Sequence, residues 1–325
     1  MIILTLLEYG KDLYRMKKIF LNKKPVSGPW GGGNKFVRDL HRFLISKDYL
    51  VTFNLTRDVD LIFCFDPRPN DEGLWYQHFL NHKNTFGSKI IQRVGDVGTH
   101  SKPELTELVK QSTKFSDFVI FPSIWSKDYI KFANSNFRVI PNAPQNIFYE
   151  NKKSKKAKKE KALKIVTHHW STNNKKGFDY YERLGQQIKD GVLKNVEFTY
   201  IGRFNDNFSQ AGINLKKPMD ENSLSFELPE HHLYLTASIE EAGANHVLEA
   251  MAAGLPVIYR SGGGSICEYC AEHGRMFNSV DEMISVIKEY CESPDKIFEL
   301  KNNYNEKIED VIIKYEEIIR GQLES

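Results

Sequence analysis

Short apolar runs alternate with longer amphipathic stretches along this sequence. "KKIFLN", "YLVTFNL", "VDLIFCF", "SKIIQRV", "DFVIFPS" and "FRVIPN" occupy the first half, and "LKIVTHH", "VEFTYIG", "HHLYLTAS" and "LPVIYR" the second. Each is rich in β-branched or aromatic residues and short enough for one strand. Between them lie stretches of helical period, such as "NKFVRDLHRFLISKD" and "FDYYERLGQQIKDG". Apolar runs without polar alternation suit strands covered on both faces, and strand–helix alternation predicts parallel sheets in an α/β fold. Two such units leave a cleft between them, and open α/β sheets bind ligands beyond the carboxyl ends of their strands.

Composition sets the frame. The 325 residues, 41% apolar and 27% charged, fit one large or two ordinary globular domains. A net charge of +3 makes no demand for nucleic acid as a partner. No uninterrupted apolar window is long enough to span a bilayer. The start, "MIILTLLEYG", has no basic region before its apolar run and is a poor signal peptide. Met16 reads as a natural chain start, which leaves residues 1–15 as either an extension or native sequence. Four cysteines point to a reducing compartment and a cytoplasmic protein without a disulfide framework.

The lysine-dense "NKKSKKAKKEKALK" repels itself and reads as a linker. It divides the chain into a first domain at 1–148, a linker at 149–163 and a second domain at 164–304, with a helix at 305–325 that crosses back onto the first domain. The lysines of 152–161 are also candidates for peripheral contact with anionic lipid at the inner face of a membrane. The run has no aromatic platform, so nucleic acid is not the expected partner.

Candidate chemistry concentrates in "YLTASIEEAGANHVLEAMAAGLPVIYR", which reads as strand, loop, helix, turn and strand. Asn245 is the expected cap of a helix that starts near His246 and ends at Gly254, with Pro256 beyond as a stop. Glu241 then precedes the helix and Glu249 lies within it. A helix N-terminus offers free N–H groups and partial positive charge to a diphosphate. Carboxylates beside it accept hydrogen bonds from hydroxyls. The set suits a molecule with phosphate in the middle and hydroxylated rings at both ends, as in a nucleotide sugar. The competing reading is a capping acid plus a solvated helix glutamate.

Glu241-x7-Glu249, "EAMAAGLPVI", the glycine cluster and Glu268 resemble the retaining family-4 glycosyltransferases of the GT-B fold (glycosyl transferases group 1). Four other pieces resemble that family in the same order: "GPWGGGNKFVRDL", "DFVIFPSIWSKDYI", "VIPNAPQNIFY" and "STNNKKGFDYYERL". The resemblance spans roughly residues 16–290. It implies an α/β chain of two Rossmann-like domains with parallel sheets, facing each other across a cleft. It implies that Glu249 accepts from ribose hydroxyls, Glu241 faces the donor sugar and Lys176 neutralises the diphosphate. Backbone N–H groups of Ala244, Asn245 and His246 would cradle phosphate or sugar. Gly31, Gly32 and Gly33 would admit the phosphates to the first domain, and Arg203 is a second cation candidate.

On the acceptor side the resemblance points to Asp96, with Arg93 and His100 as neighbours and Gly95 and Gly98 leaving room for a sugar. Asp96, Glu241 and Lys176 are the expected catalytic residues. The family's arginine shortly before the Lys176 position is absent between Thr167 and Lys176, where Lys175, His169 or Arg203 would have to compensate. The implied activity is transfer of a sugar from a UDP- or GDP-sugar to a glycan or lipid-linked acceptor in polysaccharide biosynthesis. Anomeric configuration would be retained, without a metal cofactor or an enzyme nucleophile. A nucleotide-sugar epimerase of the same fold is one alternative. A catalytically silent glycan- or nucleotide-binding protein is another, favoured by the missing arginine.

Other signals read more simply. Asp58-x-Asp60 has the spacing of a metal-binding pair but lies at a strand start, where edge acids are common. Cys267-x-x-Cys270 has no second cysteine pair to complete a zinc site. His168–His169 is expected at a strand end near the phosphate cleft or in the core, and His231–His232 at the surface. "SGGGS" gains weight from its place between a strand and a helix.

Overall fold

Residues 15–26, 32–152, 162–300 and 303–325 are described in a computed structural model. Residues 1–14, Gly31 and the lysines of 153–161 lie outside it. The first sheet comprises β1 (Lys18–Leu21), β2 (Leu50–Thr52), β3 (Leu61–Cys64), β4 (Lys89–Arg93), β5 (Phe118–Phe121) and β6 (Phe137–Val139). The second comprises β7 (Leu163–His169), β8 (Val196–Gly202), β9 (Asn214–Lys216), β10 (Leu233–Thr236), β11 (Val257–Arg260) and β12 (Gly274–Phe277). Their orders are β2-β1-β3-β4-β5-β6 and β12-β11-β10-β7-β8-β9. The paired strands run parallel, as in β7 against β8, where Leu163 through His169 align with Val196 through Gly202. The connections reverse direction between β1 and β3 and between β7 and β10, the points where such sheets open a crevice.

The helices are α1 (Gly32–Ser46), α2 (Tyr76–Phe86), α3 (Pro103–Phe115), α4 (Ile124–Tyr129), α5 (Ile147–Glu150), α6 (Phe178–Lys189), α7 (Glu221–Glu227), α8 (Asn245–Ala252), α9 (Ser265–Cys270), α10 (Val280–Glu292), α11 (Asp295–Glu299) and α12 (Ile308–Glu324). All four residues of β3 are buried. Leu61 and Phe63 pack into one apolar cluster, Ile62 and Cys64 into another, so this strand is covered on both faces. Phe36, Val37, Leu40 and Leu44 recur at helical spacing on α1 and fill the first of these clusters. Helix α12 adds Ile308, Val311, Ile312, Tyr315, Ile318 and Ile319 to the same cluster. At about 1.5–3 kcal/mol for each large apolar side chain buried, the end of the chain is part of the first unit's core. No helix among the described residues is long and apolar enough to cross a membrane.

Strands β9 and β12 escape a reading by apolar runs. Both are sheet edges, and their sequences, "NLK" and "GRMF", are only partly buried. His231 is a second correction: it is buried, 5% exposed, with Nδ1 against the Glu227 carbonyl at 3.1 Å. The 3-10 turn Leu228–Glu230 folds it inward ahead of β10. Asp58 and Asp60 are anchors at the edge of β1. Asp58 pairs with Lys18 Nζ at 3.0 Å, and Asp60 accepts from the Lys18 amide at 2.7 Å.

The two units meet through specific polar contacts. Ser123 Oγ donates to the Ala242 carbonyl at 2.8 Å and Tyr269 Oη to the Pro122 carbonyl at 2.6 Å. Glu268, read from the sequence as part of the donor pattern, sits here instead. Its carboxylate accepts from the amides of Ile124 at 3.0 Å and Trp125 at 2.6 Å, while Ser123 Oγ takes the Ser126 amide. One unit thus caps a helix of the other, because α4 starts against α9 and its first amides need acceptors. Glu268→Ala is expected to cost about 2 kcal/mol and Glu268→Gln about half that. Denaturant unfolding midpoints measure this, and an unchanged midpoint in Glu268→Ala would remove the cap from the stabilising contacts.

Candidate active site

The loop carrying Glu241 is held by the glycines that follow β11. The Glu240 amide donates to the Gly262 carbonyl at 2.9 Å, the Glu241 amide to Gly263 at 3.2 Å, and the Ser265 amide to the Glu241 carbonyl at 2.8 Å. Gly264 has φ +67°, and a Cβ there would lie 2.5 Å from the Glu241 carbonyl oxygen. A side chain at Gly264 would therefore push this loop away. Opposite, Gly177 at φ +83° abuts Ala237, where a Cβ would come within 2.4 Å. That close approach sets Lys176 beside Glu241, with Nζ 2.5 Å from Oε1 and both side chains almost enclosed. Burial opposes ionisation of Glu241, and the Lys176 ammonium outweighs it, holding the carboxyl at about 2.

Helix α8 begins one residue earlier than its sequence suggests. Ala244 is the cap position, and Asn245 is the first helical residue. The Ala244 amide is already taken by Ser265 Oγ at 3.0 Å, so it is not the free donor that was expected. Among the described residues, no acceptor meets the amides of Asn245 and His246. A cavity of about 240 Å³ opens at this helix start, lined by Glu241, Ala244, Asn245, His246, Glu249, His168, His169, Trp170 and, from the first unit, Lys35. Glu249 Oε2 lies 2.9 Å from His168 Nε2, and Lys35 Nζ lies 3.7 Å from Glu249 and 3.0 Å from Glu221. Burial raises the Glu249 carboxyl, but the His168 hydrogen bond and Lys35 outweigh it and hold it below its ordinary range. His246 donates to or accepts from Thr236 Oγ1 at 3.1 Å, and burial brings it down to about 3, so the ring is neutral.

The proposed stand-ins for the missing arginine are not equivalent. His169 is buried against the Tyr181 hydroxyl at 2.8 Å, and burial drives it well below its ordinary value. A neutral imidazole cannot neutralise a phosphate. Lys175 Nζ is engaged by Glu240 at 2.5 Å and the Thr99 carbonyl at 2.7 Å. Arg203 is exposed and lies 5.6 Å over the ring of Trp170, one of the residues lining that cavity.

The first unit faces the other side of α8. Arg93 Nη2 donates to Asn142 Oδ1 at 2.8 Å, and Asn142 Nδ2 donates to Asn245 Oδ1 at 2.9 Å, a chain from β4 to the start of α8. Asp96 accepts from the Gly98 amide at 2.9 Å and Lys102 Nζ at 2.8 Å. Burial opposes its ionisation, but Lys102 and the Gly98 amide prevail and keep it below the ordinary carboxyl range. His100 turns to the second unit, its Nε2 3.1 Å from the Ile239 carbonyl. Gly33 lines the cavity containing Asp96 and Arg93, and a Cβ at Gly33 would meet nothing within 4 Å. Gly32 starts α1.

This arrangement of sheets recurs in solved structures. HepE from Anabaena, in a crystal structure with UDP and glucose, is 14% identical with a TM-score of 0.68, over 94% of this chain and 100% of that one. Sucrose-phosphate synthase from Thermosynechococcus elongatus is 13% identical with a TM-score of 0.65, over 94% and 99%. A glycosyltransferase from Rickettsia africae is 13% identical with a TM-score of 0.66, over 95% and 99%. The chain has the GT-B fold. No protein-family profile matches its sequence, and no curated protein matches it by sequence.

Within this GT-B fold Glu241, Asn245, His246 and Glu249 line one cavity, and Lys176 joins them through its ion pair with Glu241. Asp96 and Arg93 share the neighbouring cavity, which Asn245 also lines, and Arg93 meets Glu249 and Lys35 again around a small opening between the two. Lys35, Asn142 and Arg68 are residues that sequence reasoning missed as site components. Lys35 follows the glycine run by two positions, which was the one available signal. The histidine pair splits its partners, with His168 on Glu249 and His169 on Tyr181.

Proposed function

We propose that this protein is a retaining, metal-independent glycosyltransferase that moves a sugar from a nucleotide sugar to a glycan or lipid-linked acceptor. The observation that carries this reading is the cavity at the start of α8. Glu241, paired with Lys176, and Glu249, paired with His168, stand on either side of two open helix amides. A diphosphate at those amides directs ribose hydroxyls to Glu249 and the donor sugar to Glu241. Both carboxylates are ionised at neutral pH and accept hydrogen bonds. Cleavage of the sugar–phosphate bond leaves its electron pair on the diphosphate. Lys176 and the amides of Asn245 and His246 then face the developing charge, the role a divalent ion has elsewhere. The acceptor hydroxyl attacks from the same face, and the departing phosphate takes its proton, so no side chain serves as nucleophile.

HepE's crystal structures with UDP and glucose and with UDP-glucose support UDP-sugars as the first donors to test. A thermal-shift screen of UDP-, GDP-, ADP- and dTDP-sugars is the experiment. Ligand at about a hundred times its dissociation constant adds about 2.7 kcal/mol of stability. We expect a UDP- or GDP-sugar to shift the melt, chelator to leave transfer unchanged, and NMR to find the product anomer unaltered. A melt that no nucleotide sugar moves would sink the reading. A catalytically silent nucleotide-binding protein is the second reading. It is favoured by the occupied Lys175 and the neutral His169 beside Lys176. Stabilisation by nucleotide with neither transfer nor donor hydrolysis would decide for it.

A further inference from the structure

A separate cavity of about 200 Å³ lies on the first unit's side of α8, joined to the helix start through Gly243 and Asn245. Its charges do not balance. Arg68 is held bidentately by Asp66, with contacts of 2.6 and 2.9 Å, and Asp96 is held by Lys102 at 2.8 Å, so these four cancel in pairs. Arg93 has no such partner. It is 7% exposed, its guanidinium lies 4.5 Å from the Phe36 ring centre and donates to the neutral Asn142 amide. No carboxylate pairs with it among the described residues. Its Nε is buried without an acceptor among them, and so is Nε2 of Gln92, which is 1% exposed and lines the same cavity. Lys23, on the exposed rim, has no ion-pair partner among the described residues either.

A buried donor left unmade costs about 1–3 kcal/mol, and an unpaired buried charge costs more. Each such group in a native structure calls for an explanation, and a bound partner that completes it is one. A guanidinium is matched in shape and charge by a carboxylate or a phosphate. We propose that this cavity is the acceptor subsite and takes a sugar bearing an anionic group, which pairs with Arg93 and, at the rim, with Lys23. The inference rests on the glycosyl-transfer reading for the word acceptor, and on this cavity alone for the anion.

The test titrates the full chain with D-glucuronate, glucose 6-phosphate and neutral D-glucose, each with and without UDP, by ligand-observed NMR. At least one anionic sugar is expected to bind about tenfold or more tighter than glucose, a difference of about 1.4 kcal/mol. UDP is expected not to displace it, and the tighter of the two probes names the group. Lys23→Ala, at an exposed position the fold does not need, is expected to weaken the anionic sugar about threefold and leave glucose unaffected. Arg93→Lys, at an unchanged melting temperature, is expected to weaken it about tenfold. Equal binding of glucose, no binding of either anion at millimolar concentration, or an anionic affinity unmoved in Lys23→Ala overturns the proposal. Displacement by UDP also overturns it, since the charge would then serve the donor's diphosphate. Failure of UDP itself to bind counts against the donor reading alone, because the titrations without UDP judge the anion site.

Discussion

Lys176→Met is expected to lower nucleotide-sugar turnover by about a hundredfold or more, the scale for removing one group that faces developing charge. It is also expected to destabilise the fold by about 3–5 kcal/mol, because Glu241 remains buried without its counter-ion. The two effects separate by pH. In the wild type, Glu241 titrates at about 2, below its ordinary 4.5, because the Lys176 ammonium overrides burial. A depressed carboxyl stabilises the fold above its unfolded pKa, and that contribution is lost as pH falls from about 4.5 to about 2. Without Lys176 the largest contribution opposing burial is gone, and the Glu241 carboxyl is expected to rise above its ordinary value. The variant should therefore gain stability on mild acidification, where the wild type does not. Urea unfolding across this range reads the change in sign, and single-turnover kinetics reads the chemistry. Normal transfer by the variant would show that the phosphate site has been misplaced.

Glu249→Ala is expected to weaken UDP binding about ten- to a hundredfold, since a hydrogen bond to a charged acceptor contributes about 1.5–3 kcal/mol. The carboxylate is oriented by His168 Nε2 at 2.9 Å and drawn toward Lys35 at 3.7 Å. Those contacts fix it before ligand arrives, so little ordering is left to oppose binding. The ribose assignment makes a sharper demand. The wild type should prefer UDP to 2′-deoxy-UDP or 3′-deoxy-UDP, and Glu249→Ala should bind all three alike. Calorimetric titrations measure this. A variant that keeps the ribose preference would move the ribose away from Glu249.

Most strands whose apolar runs stand out in the sequence are interior members of the two sheets, because a strand covered on both faces must be apolar along its length; β2 and β6 are partly exposed edges, legible because their apolar runs extend beyond the paired residues. Strands β9 and β12, also edges, were illegible because "NLK" and "GRMF" hold no apolar run. They close the sheet edges, where half of each residue's surroundings is solvent and polar side chains are tolerated. The glycine run after β11 was legible as a turn, and its purpose, bracing the Glu241 loop, needed the coordinates. Asn245 looked like a helix cap because its side chain suits one. Packing gave it to Asn142 across the cleft instead, and Ser265 met the amide before it.

The sequence alone determined the parallel α/β architecture, the helix that carries Glu249, the loop that carries Glu241, and the lysine and glycine that precede α6. All of these follow from local periodicity and turn chemistry, which act over a few residues. Only the tertiary structure decided which charges cancel. Lys176 meets Glu241 across 65 residues, His168 meets Glu249 across 81, and Glu268 caps α4 across 143. The same packing left Arg93 without an acid and made His169 neutral. Pairing and burial over such separations depend on how the elements are brought together, and no spacing along the chain encodes them.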